Sequence, residues 1–117
     1  MKTSILFELA NQIVREIYPE TITFPYKYQN SLGSQLRRAS LSVVLNLVEG
    51  GARKHIKERR QFNNIAYGSL KETKYLLILA RDFRLLNKPK YNLVMPKIER
   101  LAALLYGLVY RSRVKIS

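Results

Sequence analysis

The sequence predicts an all-α fold, an antiparallel up-down bundle of four helices that forms one domain over residues 1–117. Apolar residues recur every three to four positions along four separate segments, which is the period of an amphipathic helix. No stretch of useful length alternates between apolar and polar residues, so strands are not expected. Gly and Pro are scarce, with 5 and 4 residues among 117, so connections are short and neighbouring helices run antiparallel.

The first helix is predicted from about Thr3 to Tyr18 and is expected to end at Pro19. Its apolar face comprises Leu6, Leu9, Ile13 and Ile17. A connector that runs to Asn30 follows, and it is the only long non-helical stretch that the sequence predicts. The aromatic residues of this region are Tyr18, Phe24, Tyr26 and Tyr28. They either stack on bases or fold back onto the bundle, and we favour the second interpretation.

The second helix is predicted to begin near Ser31, a good N-cap, and to end at the Gly50-Gly51 pair. Its main apolar stripe comprises Leu32, Leu36, Ala39, Val43 and Leu47. A second stripe on an adjacent face comprises Leu41, Val44 and Val48. Two apolar faces exceed what one side of a small bundle buries, which indicates self-association.

The third helix is predicted over about residues 57–86 and the fourth from Tyr91 or Asn92 onward. The expected core stripe of the third helix comprises Phe62, Ile65, Ser69, Leu76, Ala80 and Phe83. That of the fourth helix comprises Ile98, Ala102, Leu105 and Val109. With Asn92 as the N-cap, Pro96 falls in the first turn, where a missing amide costs little. Residues 101–110 are apolar nearly all round, which again indicates burial on more than one side.

The strongest functional signal is charge, since 21 Lys and Arg residues stand against 8 Asp and Glu residues, a formal net charge of +13. A compact body with this charge attracts polyanions. Either the protein binds nucleic acid, or its charge only keeps it in solution. We favour nucleic acid, RNA or DNA.

Two basic segments are the candidate nucleic-acid contacts. Residues 53–60 hold five Lys or Arg residues and one Glu, although an ordinary solvated turn would look alike. On the third helix, a stripe expected to lie opposite much of the core comprises Arg60, Asn64, Tyr67, Lys71, Lys74, Ile78 and Arg81. Flexible cations contact phosphates without reading sequence. The predicted contact residues are Arg53, Lys54, Lys57, Arg59, Arg60, Lys71, Lys74 and Arg81. Residues 111–115 add three further cations that could reach a polyanion.

A polar stripe crosses the otherwise apolar second helix, and it comprises Arg38, Ser42, Asn46 and Glu49. Polar groups in such a place need hydrogen-bond partners. We favour a structural stripe in which Arg38 and Glu49 pair with residues of other helices or subunits. The other interpretation is a functional pocket.

Nothing in the sequence points to catalysis, a metal site or a bound cofactor, so we do not expect an enzyme. Cysteine is absent, the acidic residues are scattered, and the single histidine, His55, falls in a basic linker where we expect it to be solvated. Residues 50–54 lack the glycine pattern of a phosphate-binding loop. Glu8 interrupts the first apolar run, and the longest apolar stretch is too short for a membrane span. We therefore expect a soluble, cytoplasmic protein.

Three short motifs, taken in order, resemble those of a known family. They are Gln-Leu-Arg-Arg-Ala at 35–39, Asn-x-x-Glu-Gly at 46–50 and Gly-Ser-Leu-x-Glu at 68–72, with Phe24-Pro25 ahead of them. Over about residues 6–109, the chain resembles the four-helix-bundle proteins encoded in intervening sequences of 23S ribosomal RNA. Many of those proteins carry Ser or Asn after a Glu-Gly-x-Gly/Ala-Arg segment, where this chain has residues 54–57, Lys-His-Ile-Lys.

The resemblance implies a non-enzymatic protein that assembles into a ring-like homopentamer. The family is similar to the accessory variability protein of diversity-generating retroelements, a basic pentameric bundle that binds nucleic acid and a reverse transcriptase. We favour a nucleic-acid-binding oligomer associated with ribosomal RNA. The alternative is an accessory subunit that binds a reverse transcriptase and its template. Sequence-specific readout is not expected, because no recognition motif appears.

Overall fold

Four long helices account for most of the computed structural model, which describes residues 4–111. We number them α1 (Ile5–Ile22), α2 (Ser34–Gly51), α3 (Ile56–Asp82) and α4 (Lys88–Tyr106). A short helical turn, Tyr26–Tyr28, and a π-helical segment, Gln29–Gly33, lead into α2, and a second π-helical segment, Gly107–Arg111, continues α4. No residue within 4–111 lies in a strand, so the prediction of an all-α fold is confirmed.

Each helix of this bundle packs mainly against two neighbours, with α1 and α3 each lying between α2 and α4. The molecule is elongated, with extents of 49, 24 and 21 Å. A single apolar core includes the fully buried side chains of Ile13, Ile17, Leu36, Leu70, Leu77, Ile98, Leu101 and Leu105. Burial of each contributes about 1.5–3 kcal/mol. The stripes predicted for α1, for α4 and for the main face of α2 are all buried or partly buried.

The core stripe predicted for α3 is correct for Ala80, which is fully buried, and Leu76 packs against the core, but the stripe is out of phase elsewhere. Ile65 and Phe83 are 47% and 50% exposed. The residues that α3 buries are Ala66, Leu70, Thr73, Leu77 and Ala80. Apolar side chains occur on several faces of this helix, so the helical period alone does not fix which face is inward. The buried hydroxyl of Thr73 donates to the backbone oxygen of Ser69 at 2.8 Å, which makes a polar residue acceptable in the core.

Helix α1 continues one turn beyond its predicted end, because Pro19 lies inside the helix with its ring exposed. The end of α1 is held by Gln29. Its side-chain amide donates to the backbone oxygens of Thr21, Ile22 and Phe24 at 2.9, 3.1 and 2.8 Å. These bonds satisfy carbonyls that have no partner within the helix. The expected long connector is thereby reduced to residues 23–25.

The aromatic residues after α1 confirm the fold-back interpretation in part. Phe24 is buried, and Tyr28 packs against the core with its ring centroid 6.1 Å from that of Phe83. Tyr26, in contrast, is 87% exposed. Ser31 is not an N-cap, since helical backbone already begins at Tyr26 and continues through the π-helical segment.

Helix α4 begins earlier than predicted, because Asn87 and not Asn92 is its N-cap. The Asn87 side chain accepts a hydrogen bond from the Lys90 amide at 2.8 Å. Pro89 therefore lies in the first turn, where its missing amide costs little. Pro96 lies further inside the helix and faces solvent.

Candidate nucleic-acid interface

The turn between α2 and the start of α3 gathers five cations at one end of the bundle. They are Arg53, Lys54, Lys57, Arg59 and Arg60. The two helices approach closely here because position 50 is glycine. A Cβ at Gly50 would lie 3.0 Å from the Cβ of Phe62. The backbone thus brings the end of α2 directly against the first turns of α3.

Arg59 holds this turn closed. Its Nε donates to the backbone oxygen of Arg53 at 2.8 Å, and Nη2 donates to that of Lys54 at 3.3 Å. Both carbonyls follow the end of α2, where no amide of the same helix can reach them. Arg59 therefore has a structural role in addition to its charge.

The other cations of the turn differ in how far they are paired. Arg53 Nη2 lies 2.9 Å from Glu49 Oε1. The Arg53 guanidinium carbon lies over the Phe62 ring, 4.9 Å from its centroid. That ion pair is exposed and contributes at most about 1 kcal/mol. Lys54 and Lys57 are exposed, and no carboxylate of residues 4–111 forms an ion pair with either. These two lysines are the cations of the turn most accessible to an external phosphate.

The basic stripe of α3 lies along α4, not opposite the core as predicted. Lys74 Nζ lies 3.6 Å from Glu99 Oε2 of α4. The Arg81 guanidinium carbon lies 4.7 Å from the ring centroid of Tyr91, also in α4. Lys71 is exposed, with Nζ 5.9 Å from the ring centroid of Tyr67. At about 1.5 Å per residue, Arg81 lies about 30 Å along the helix from Arg60. The eight predicted contact residues therefore do not form one patch.

The polar stripe of α2 faces α3 in its middle part. The hydroxyls of Ser42 and Ser69 lie 2.9 Å apart, and Asn46 Nδ2 donates to the Ser42 backbone oxygen at 2.8 Å. Glu49 pairs with Arg53 one turn further on, not with another helix. Within the described part of the chain, Arg38 is exposed and has no hydrogen-bond or ion-pair partner. The structure thus accounts for the two central polar residues, Ser42 and Asn46, whereas neither Arg38 nor Glu49 pairs with another helix within residues 4–111 of one copy.

Helix α2 also carries an outer apolar strip, which comprises Leu41, Leu45 and Val48. Their side chains are 38%, 53% and 51% exposed. Positions that are four and seven residues apart share a helix face. Val44, which the sequence placed in this stripe, packs against the core instead. The predicted second apolar face therefore exists, with Leu45 in place of Val44.

A cluster of three tyrosines was not predicted from the sequence. Tyr67 of α3 has its ring centroid 6.1 Å from the centroids of both Tyr106 and Tyr110, which are 4.9 Å from each other. The spacing of Tyr106 and Tyr110 indicates a shared helix face. A helical period cannot show which residue of another helix lies beside that face, so the cluster with Tyr67 follows only from the packing of α3 on α4.

His55 is exposed at the N-cap position of α3 and makes no capping hydrogen bond through its side chain, which agrees with a solvated residue. Across residues 4–111, no three His, Cys, Asp or Glu side chains come together in a way that could hold a metal ion. None of the helices in this range is both long enough and apolar enough to cross a membrane. This end of the bundle presents guanidinium and ammonium groups in excess over its two exposed carboxylates, Glu49 and Glu58.

These features define a basic, all-helical bundle with a cationic end. The family model of the 23S rRNA-intervening sequence protein matches residues 2–107, and the chain belongs to this family. Among solved structures, the chain is similar to a protein of unknown function of the S23 ribosomal protein family from Bacteroides thetaiotaomicron, at 16% identity. That match has a TM-score of 0.80 and covers 91% of this chain and 99% of the other, and it concerns the fold alone. No curated protein matches the chain.

Proposed function

We propose that this chain is a non-enzymatic nucleic-acid-binding protein whose cationic end contacts the phosphates of structured RNA. The observation that carries the proposal is the exposed, unpaired state of Lys54 and Lys57 on a chain of net charge +13. Release of counterions by such cations drives binding that is independent of sequence. The family description names 23S rRNA, so we take structured RNA as the ligand to test first.

We also propose that the bundle is antiparallel and works as a ring of five copies. The antiparallel order of α3 and α4 is supported by the contacts of Asn64 with Tyr110 and of Arg81 with Tyr91. The outer apolar strip of α2 supports contact between copies, because exposed apolar side chains are stabilised when a partner covers them. The number five is the number that the family resemblance implies.

The experiment that tests RNA binding is fluorescence anisotropy with labelled structured RNA and duplex DNA over a series of salt concentrations. We expect submicromolar affinity near physiological salt. On duplex DNA, the logarithm of affinity should fall with the logarithm of salt by about 0.9 per phosphate neutralised. The test variant is the double substitution Lys54→Glu, Lys57→Glu, which should weaken binding strongly.

A matched control distinguishes a localised interface from general attraction. Lys27→Glu with Lys88→Glu changes the net charge by the same amount at the opposite end of the bundle, where both lysines are exposed. Equal weakening by both double variants would contradict an interface at the α2–α3 turn. If the wild-type chain binds no nucleic acid, the proposal is wrong, and the alternative of an accessory subunit that binds a protein becomes the next one to test.

A further inference from the structure

A cleft lies between the first turns of α3 and the π-helical segment that continues α4. Its lining residues are Lys57, Arg60, Gln61, Asn64, Val109 and Tyr110. Two of them are cations, two carry amides, and none of the described lining residues is a carboxylate. The cleft therefore suits an anionic ligand that can also accept hydrogen bonds.

Arg60 is the unusual residue of this cleft. Its Nε and Nη2 are shielded from solvent and have no hydrogen-bond partner among the described residues. Buried polar nitrogens without an acceptor are rare because their lost hydration is not replaced. These two nitrogens form one edge of the guanidinium, the fork that binds two phosphate oxygens at once. Arg60 as a whole is only partly buried, and its side chain lines the cleft, so a ligand there lies beside the guanidinium.

The tyrosine cluster adjoins the cleft through Tyr110. Tyr106 and Tyr110 are 44% and 38% exposed, so part of each ring is accessible from outside. The Tyr110 hydroxyl donates to Asn64 Oδ1 at 3.2 Å, which helps to fix the orientation of the ring. Two more cations lie over the cluster, Lys71 at 5.9 Å from the centroid of Tyr67 and Arg111 at 5.9 Å from that of Tyr106. Rings and cations thus alternate over the surface of the α3–α4 pair.

We propose that this surface is a binding site for single-stranded nucleic acid, with a phosphate held by Arg60 and Lys57 and unpaired bases stacked on Tyr106 and Tyr110. This inference rests on the proposed function, and it assigns the unpaired segments of a structured RNA to this surface. Aromatic side chains flanked by cations bind single strands because every base has a face that can stack. In a duplex those faces are already stacked on one another, so the tyrosines would add nothing.

The charges on this surface favour a polyanion over a protein partner. No carboxylate of residues 4–111 forms an ion pair with Lys57, Arg60, Lys71 or Arg111. A protein partner would have to bring acidic groups to four separate positions. A strand of nucleic acid carries one phosphate with each base, so a single strand can supply an anion to each of these cations.

The experiment compares Tyr106→Leu with the wild-type chain on three probes, namely an unstructured RNA oligomer, the DNA oligomer of the same sequence and a blunt-ended RNA duplex. We expect Tyr106→Leu to weaken single-strand binding by between about 5-fold and 100-fold, the loss that corresponds to one stacked base. Binding to the RNA duplex should change by less than about 2-fold, because its bases are already stacked on one another. The two single-stranded probes show whether the site distinguishes RNA from DNA.

Two further measurements keep the test independent of folding. Tyr26→Leu removes an 87% exposed tyrosine away from the cleft, so it should leave all affinities unchanged. The chain contains 8 Tyr and no Trp, so its intrinsic emission comes from tyrosine. Addition of the single strand should quench that emission in the wild-type chain and quench it less in Tyr106→Leu, while circular dichroism verifies that the variant is helical.

The outcomes separate this inference from the proposed function. If Lys54→Glu, at a residue outside the cleft, weakens binding while Tyr106→Leu and Arg60→Gln leave single-strand affinity unchanged, the chain binds nucleic acid but not at this site. If single strands and the RNA duplex lose affinity equally in Tyr106→Leu, stacking is likewise refuted. If the wild-type chain binds none of the probes, both the proposed function and the inference fail.

Discussion

Lys90 Nζ donates a hydrogen bond to the Glu16 carboxylate at 2.6 Å and so joins the first turn of α4 to α1. This bond holds the pKa of Glu16 below its ordinary value of 4.5, although partial desolvation acts in the opposite direction. The same bond raises the pKa of Lys90 above its ordinary value of 10.5. Glu16 also brings a negative charge to the N-terminal end of α4, where the helix dipole favours one and the first turn of α4 has no acid of its own.

We expect Glu16→Gln to lower the free energy of unfolding at pH 7 by about 0.5–1 kcal/mol, the usual contribution of a partly exposed ion pair. The pKa of Glu16 is lower in the folded state, so its contribution is present above pH 4.5 and is lost as pH falls through the folded value. The pKa of Lys90 is higher in the folded state, so its contribution is present below pH 10.5 and is lost as pH rises through the folded value.

Urea unfolding at a series of pH values checks this prediction. The difference in stability between the wild-type chain and Glu16→Gln should stay constant from about pH 5 to pH 10 and shrink on both sides. Glu72→Gln is the control, because Glu72 is exposed and forms no ion pair within the described chain. A loss of similar size and pH dependence in Glu72→Gln would attribute the effect to net charge and not to the Glu16–Lys90 bond.

Arg84→Gly is expected to stabilise the fold. Arg84 has φ of 61°, the left-handed region, just after α3 ends, and the Leu85 amide donates to the Ala80 oxygen at 2.8 Å. Glycine adopts this conformation without the clash that a Cβ causes. The free energy of unfolding should rise by about 0.5–1 kcal/mol, which thermal unfolding would show as an increase of about 2–5 °C in Tm. Arg84→Ala removes the same charge and keeps the Cβ, so an equal gain in that variant would refute the backbone explanation.

Two glycine substitutions should change stability in opposite directions. Gly50→Ala places a Cβ 3.0 Å from that of Phe62, so we expect a loss of about 1–3 kcal/mol. Gly68→Ala adds a Cβ in open space in the middle of α3 and should gain up to about 1 kcal/mol from helix propensity. Chemical denaturation measures the free energy of unfolding of each variant relative to the wild-type chain. A neutral Gly50→Ala would show that α2 and α3 can separate at this end without cost.

The sequence predicted the number of helices and most of the core, because residues such as Ile13, Leu36 and Ile98 repeat at the helical period with polar residues between them. The sequence-based prediction failed where the end of a helix or its buried face depends on contacts with the rest of the fold. Pro19 is tolerated in α1, and Gln29 from beyond the turn satisfies the carbonyls that end the helix. The stripe predicted for α3 was right at Ala80 and wrong at Ile65 and Phe83, because apolar residues cover several faces of this helix and only the neighbouring helices decide which face is inward.

The candidate site was predictable in its charges but not in its geometry. The run of cations at residues 53–60 is visible in the sequence, and the structure places it at one end of the bundle. The structural role of Arg59 and the unpartnered nitrogens of Arg60 depend on where side chains reach after packing. The same is true of the tyrosine cluster, which forms only because α3 and α4 lie side by side.

Leu45→Glu should prevent assembly of the proposed ring. Leu45 is 53% exposed in the outer apolar strip of α2, and a carboxylate there cannot be buried against a second copy without a large desolvation cost. Multi-angle light scattering should give about 69 kDa for the wild-type chain, five times its 13.7 kDa, and 13.7 kDa for the variant. Leu93→Glu, at a 45% exposed leucine of α4, is the matched control and should leave the mass unchanged.

The direction of the charge change makes this test decisive. Each copy carries a formal charge of +13, so copies repel one another and an added carboxylate reduces that repulsion. Electrostatics alone would therefore make Leu45→Glu assemble more readily than the wild-type chain. Loss of assembly in Leu45→Glu but not in Leu93→Glu must then come from the lost apolar contact. A wild-type mass of 13.7 kDa, or equal dissociation in both variants, would instead show that the outer apolar strip of α2 is not the contact between copies.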